Sequence, residues 1–158
     1  MRLSTTTSLS PAQKEYLFQL WNAEYPEKLR YTAISGLEAY LNGLAQPEHH
    51  LIEEESGKIL GWAVTFLRQT GTWFAIILDH TIQKQGHGRI LLNRIKARHP
   101  VLHGWVIDHD NDRKSDGTSY RSPLEFYRKE GFIACPEVRL ETPQLSALKI
   151  TWEATPKV

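Results

Sequence analysis

Residues 76–95, IILDHTIQKQGHGRILLNRI, decide how the rest of the chain is read. An apolar run from Ile76 to Leu78 reads as the end of a buried strand. A short polar break follows, then Gly86 and Gly88, and then an amphipathic pattern of Ile90, Leu91 and Ile95 that predicts a helix. A helix that starts directly after a glycine-rich turn presents free backbone N–H groups and the positive end of its dipole, which together seat an anion. The spacing Gln83-x-x-Gly86-x-Gly88 is not a dinucleotide fingerprint. Leu91 stands where the third glycine would be, and no parallel β-α-β unit precedes it. It is not a Walker loop either, since Gly-Lys-Ser/Thr is missing. On the local pattern, the alternatives are an anion seat and a strand-to-helix turn with no ligand.

Outward from this stretch, secondary-structure signals alternate. Ser10, Pro11 and Gln13 form a capping box before Tyr16, Leu17, Leu20 and Trp21, and Pro26 ends that helix. Ser35 with Glu38 predicts the start of a second, short helix running to Leu44. Strands are expected over 50–53, 59–68 and 72–78, the last being the most apolar and so the most central. The helix from about Gly88 to Arg98 stops before Pro100, and LHGWVID reads as the next strand. A polar loop, HDNDRKSDGTSYR, leads to the helix SPLEFYRKEGF, with Ser122 as expected N-cap, Pro123 as first residue and Gly131 as terminator. Strands over 137–141 and 148–152 finish the chain. The predicted order is ααβββαβαββ, a mixed α/β layout around one sheet.

Composition narrows the function classes. A chain of 158 residues with net charge +1 is expected to form one domain, 1–158, and has no overall field that points to nucleic acid or to a membrane surface. Any anionic ligand must be met locally. Cys135 is the only cysteine, which excludes an intrachain disulfide, and the absence of a leader-like or long apolar run leads to an expected cytoplasmic location. Asp108, Asp110 and Asp112 alternate as in a calcium loop. Arg113 and Ser119 occupy the positions that need Gly and Glu, and the histidines lack zinc spacing, so no metal is expected.

Two segments resemble a known family. LDHTIQKQGHGRILL is similar to the Gln/Arg-x-x-Gly-x-Gly/Ala acetyl-CoA motif of the GNAT N-acetyltransferases. PLEFYRKEGF resembles that superfamily's second signature, an aromatic-Tyr helix ending in Gly-Phe. The resemblance spans nearly the whole chain and implies the GNAT acyl-CoA N-acyltransferase fold, with coenzyme A in a wedge between splayed fourth and fifth strands. It implies acetyl-CoA as co-substrate and direct acetyl transfer to a primary amine on a small molecule or peptide. Ile76 and Leu78 would pair with the pantetheine arm, and the Leu78 N–H would polarise the thioester carbonyl. Gln83 and the backbone amides of Gln85, Gly86, His87, Gly88 and Arg89 would hold the pyrophosphate, and Tyr127 would be the general acid at the thioester.

Where many relatives place a glutamate base early in strand four, this chain has Thr72 or Trp73. Asp108 and His109 are the favoured substitutes, with Glu53, Glu54 and His80 as further candidates. The missing carboxylate leaves open a coenzyme A-binding module without catalysis. A wide apolar pocket beside Trp62, Trp73 and Trp105 would instead favour a longer acyl donor. The segments 25–34 and 141–146 are expected to choose the acceptor, and exposed aromatics to line either that cleft or a homodimer face.

Overall fold

A seven-stranded mixed sheet carries the site. The computed structural model describes residues 1–155 and orders its elements as β1 (Arg2–Thr6), α1 (Pro11–Glu24), α2 (Ile34–Asn42), β2 (Ala45–Glu53), β3 (Ile59–Arg68), β4 (Gly71–Leu78), α3 (His87–Lys96), β5 (Val101–Val106), α4 (Leu124–Lys129), β6 (Ile133–Thr142) and β7 (Leu145–Glu153). The strands lie in the order β1-β2-β3-β4-β5-β7-β6, so β4 is central as its apolar sequence predicts. All pairs are antiparallel except β4 with β5.

Side-chain alternation along the strands builds two cores. On one face Leu17, Trp21, Leu37 and Leu41 of α1 and α2 pack on Trp62, Val64, Phe66, Trp73 and Ile77. On the other, Leu91, Leu92 and Ile95 of α3, with Tyr127 of α4, pack on Leu60, Ala63, Phe74, Leu102 and Ile150.

Four sequence expectations are corrected. The sheet has one more strand than predicted: β1, from the Ser/Thr-rich start, pairs with β2 from Arg2↔Glu53 to Thr6↔His49. Its exposed polar face hides the alternation that marks a strand, and Leu3 alone gives no period. β2 begins at Ala45 rather than His50, because Pro47 is accommodated at a register shift between Ala45 and Glu48. The Ser35–Glu38 box does not form. α2 starts after Ala33 with no side-chain cap, since Asn22 grips Tyr31 through both its N–H and its carbonyl and sets the chain's entry there. α4 starts one residue later than predicted, after Pro123, so Ser122 stands just before the N-cap position; its hydroxyl donates to the Ile107 carbonyl at 2.5 Å and accepts the Leu124 N–H at 3.3 Å. The Ser10–Gln13 box forms in full.

β4 and β5 are the pair that shapes the site. Their only registered partners are Trp73 and His103, near the start of both strands, whereas β5 pairs with β7 along its whole length from Val101 to Val106. Beyond that single point β5 follows β7 and leaves β4, and the ends of the two strands part.

Candidate active site

The parting of β4 and β5 leaves backbone groups of β4 without a strand partner. In an antiparallel ladder, bonded and non-bonded pairs alternate. The Asp79 N–H donates to the Leu60 carbonyl at 2.8 Å, so the pairs Gly61↔Leu78 and Ala63↔Ile76 are the non-bonded ones. Ile76 and Leu78 therefore turn their N–H and C=O groups away from β3 and into the wedge. One of the four is taken: Gln83 Nε2 donates to the Leu78 carbonyl at 2.9 Å. That bond gives Gln83 a positioning role, folding the turn back onto the strand end.

The turn then delivers α3. Lys84 has φ 60° and Gly86 has φ 89°, and these left-handed residues reverse the chain just before His87. No side chain caps α3, so the first N–H groups of the helix stay open to an anion. A Cβ on Gly86 would meet nothing within 4 Å, which leaves room for phosphate against the backbone. Gly88 serves packing instead. A Cβ there would lie 3.3 Å from Leu78 Cδ1 and from Phe126 Cζ, so glycine lets α3 close onto β4 and α4. Gln85 donates to the Thr81 carbonyl at 3.2 Å, and Arg89 is held by Glu130 at 3.0 Å, so neither side chain is free to lead anion binding. His87 is exposed. The wedge edge, the open helix start and the uncrowded Gly86 fit the pantetheine and pyrophosphate of coenzyme A.

A cavity of about 300 Å³ occupies the α1/α2 end of the wedge. Its lining includes Phe74, Ala75 and Ile76 of β4, Trp105, Val106 and Ile107 at the end of β5, and Tyr127 of α4. Tyr127 is 7% exposed and packs edge-on against Phe74, Phe126 and Phe132. Burial pushes its pKa well above the ordinary phenol value, so its hydroxyl stays protonated. Tyr120 and Tyr40 also line the cavity, and burial raises both to about 12.

None of the candidate bases lines this space. Asp108 follows Ile107, but Arg139 holds both its oxygens at 3.1 Å and keeps its carboxyl below the usual range. His109 is half-buried, its Nδ1 accepting the Asn111 N–H at 3.1 Å. Glu53 is buried against Ser4 and Arg2 on the far edge of the sheet, and Glu54 lies in the β2–β3 turn. His80 is bound by the buried Glu24 carboxylate, which also accepts from Lys114 at 2.7 Å; the hydrogen bond that the His80 ring makes to Glu24 raises the His80 pKa. The three aspartates of the polar loop do not converge. Asp110 accepts the Ser122 N–H, and Asp112 faces Lys28 at 3.9 Å.

Sequence reading missed most of the cavity wall. Trp21, Tyr40 and Tyr120 come from three separate segments that no motif links, whereas Tyr25 and Tyr31 fall in the segment 25–34 expected to choose the acceptor. Leu29, Leu140 and Leu145 also reach the wall, so both segments expected to choose the acceptor meet there or at its edge. Trp73 and Trp105 line it, whereas Trp62 is fully buried and does not.

A mixed sheet splayed after one parallel contact, with an uncapped helix start opposite, defines an acyl-coenzyme A transferase fold. Residues 12–114, more than half the chain, match the model of the acetyltransferase (GNAT) family, and the chain belongs to that family of N-acetyltransferases. No curated protein sequence matches it. Among solved structures it is similar to an aminoglycoside 6′-N-acetyltransferase complexed with coenzyme A (TM-score 0.73, 14% identity, 100% of this chain and 99% of that one). It is similar also to a variant of the spermidine N-acetyltransferase SpeG from Vibrio cholerae (TM-score 0.63, 14% identity, 97% and 95%) and to a ribosomal-protein-alanine N-acetyltransferase from Brucella melitensis (TM-score 0.64, 14% identity, 97% and 99%). At these identities the likeness is one of fold. No described helix is long and apolar enough to cross a membrane.

Proposed function

We propose that residues 1–158 act as one domain that transfers the acetyl group of acetyl-CoA directly to a primary amine. The observation that carries this reading is the row of β4 backbone groups without a strand partner, at Ile76 and Leu78, running from the open start of α3 into the cavity beside Tyr127. Acetyl-CoA would supply an activated thioester. The N–H groups of Gln85 to Arg89 would bind its pyrophosphate, and the Leu78 N–H its pantetheine.

The cavity reaches Ile76 and not Leu78, so we assign the oxyanion donor to the Ile76 N–H. An N–H fixed by the ladder is aimed before reaction at the oxygen where charge develops, and needs no reorganisation. The amine nitrogen forms the C–N bond as the C–S bond breaks, and one N–H proton ends on the departing sulfur. Tyr127, a phenol held protonated by burial, donates a hydrogen bond to that sulfur and relays the proton. Arg139 commits Asp108 elsewhere, so a water chain is the route by which an ammonium acceptor would lose its first proton.

The apolar wall at Trp73 and Trp105 supports a second reading, a longer acyl donor. Calorimetric titration with coenzyme A, followed by thiol release from acetyl-CoA and from octanoyl-CoA on adding amines, tests both. Absence of coenzyme A binding would refute the first reading. Equal or slower turnover of octanoyl-CoA would refute the second.

A further inference from the structure

The cavity wall carries a chemical preference that its position does not require. Ten of its nineteen lining residues are aromatic, one is cationic and none is acidic. The cationic one is Arg68 at the end of β3. Among the described residues it has no carboxylate partner and rests on the faces of Phe66 and Trp73, 5.2 and 5.6 Å from the ring centroids. Lys149 lies over the Trp73 ring as well, at 5.6 Å. The titratable and charged groups that face the space are Tyr25, Tyr31, Tyr40, Tyr120, Tyr127 and Arg68.

Resting on the transferase reading above, we propose that the acceptor is a one-ring aromatic amine that enters uncharged and carries a carboxylate for Arg68.

Three arguments support this. A polyamine or aminoglycoside brings several ammonium groups, each costly to desolvate without a carboxylate, and the wall offers none. Aromatic faces can hold cations, but Trp73 is already engaged by two, and Arg68 repels a third. A volume of about 300 Å³ lies at the small end of ligand sites and suits one substituted ring rather than a multi-ring sugar. The absence of a base in the wall then has a reason. An aromatic amine conjugated to its ring is a free base at neutral pH, so its lone pair is available without prior deprotonation. The step still balances, because the proton lost from nitrogen after attack goes to the thiolate.

Thiol release from acetyl-CoA tests this with aniline, 4-aminobenzoate, 3-(4-aminophenyl)propanoate and spermidine. One of the carboxylated arylamines is expected to exceed aniline in kcat/KM, and spermidine to be the poorest. Arg68→Gln should lower the ratio of carboxylated amine to aniline about tenfold, the effect of losing one charge-assisted hydrogen bond. Arg68→Lys should restore part of that ratio. Preference for spermidine, or a ratio unmoved by Arg68→Gln, overturns the proposal. So does coenzyme A binding in calorimetry with no arylamine turnover, which leaves the coenzyme A site standing; loss of coenzyme A binding itself refutes the earlier reading instead.

Discussion

Replacing Gly86 by Glu and, in parallel, by Gln separates charge at the turn from backbone strain. Both side chains are forced to the φ of 89° that glycine holds there, so both variants lose about 1–2 kcal/mol of stability. Neither meets a steric obstacle, since a Cβ on Gly86 has nothing within 4 Å. The two differ by one negative charge. A carboxylate about 6 Å from a pyrophosphate of roughly two charges, at surface-like effective dielectrics and physiological salt, costs about 1.5–3 kcal/mol. Coenzyme A should bind roughly 10- to 100-fold more weakly to Gly86→Glu than to Gly86→Gln in isothermal titration. Near ~1 M salt, where the Debye length is about 3 Å, the gap should shrink several-fold. Equal affinities at low salt would show that no phosphate sits at this turn, and the assignment of residues 83–89 would fall with it.

Tyr127→Phe should lower kcat about 10- to 100-fold with little change in acetyl-CoA affinity, because only the hydrogen bond to the leaving sulfur is lost; equal turnover would remove Tyr127 from the chemistry. Glu24→Ala removes the buried acceptor of Lys114 and of the His80 N–H and ring, and should cost about 2–3 kcal/mol in urea denaturation; a loss under about 0.5 kcal/mol would mean that this network holds nothing in place. Acid should destabilise the fold through its histidines. Burial lowers the pKa of His49 to about 4 and also lowers His50, His99 and His103, while the unfolded values stay near ~6.5. Between those values the unfolded chain binds protons that the folded chain refuses, so stability falls as pH drops from about 6.5 towards 4 and is unaffected by these groups above that window. His49 Nδ1 accepts the Trp62 indole N–H at 3.0 Å, a bond that a protonated imidazole cannot accept. A melting temperature constant from pH 7 to 4.5 would contradict this.

The residues that announce the wedge are contiguous, and for that reason they were legible. Gln83, Gly86, Gly88 and the apolar face of α3 act through backbone geometry within one turn, and the structure gives Gly86 the left-handed φ and α3 the open start that the spacing implies. The choice of Ile76 over Leu78 as the proposed oxyanion donor rests on features with no local signal, namely which rungs of the β3–β4 ladder are bonded and where the cavity ends. Asp108 and His109 drew attention by standing at the end of a strand expected to face the acyl group. Arg139, more than thirty residues further on, takes the carboxylate, and nothing local records that pairing.

Local sequence determined the helices, the central strand, the glycine turn and, through two spaced motifs, the family. These follow from short-range physics: caps, periodicity and φ preferences act over a few residues. Tertiary structure alone decided the extra edge strand, the disposal of the loop aspartates and the aromatic wall around Arg68. Those depend on side chains from α1, β3, β4, β5 and the last hairpin meeting in space, and contacts between distant segments leave no period or spacing in the chain to read.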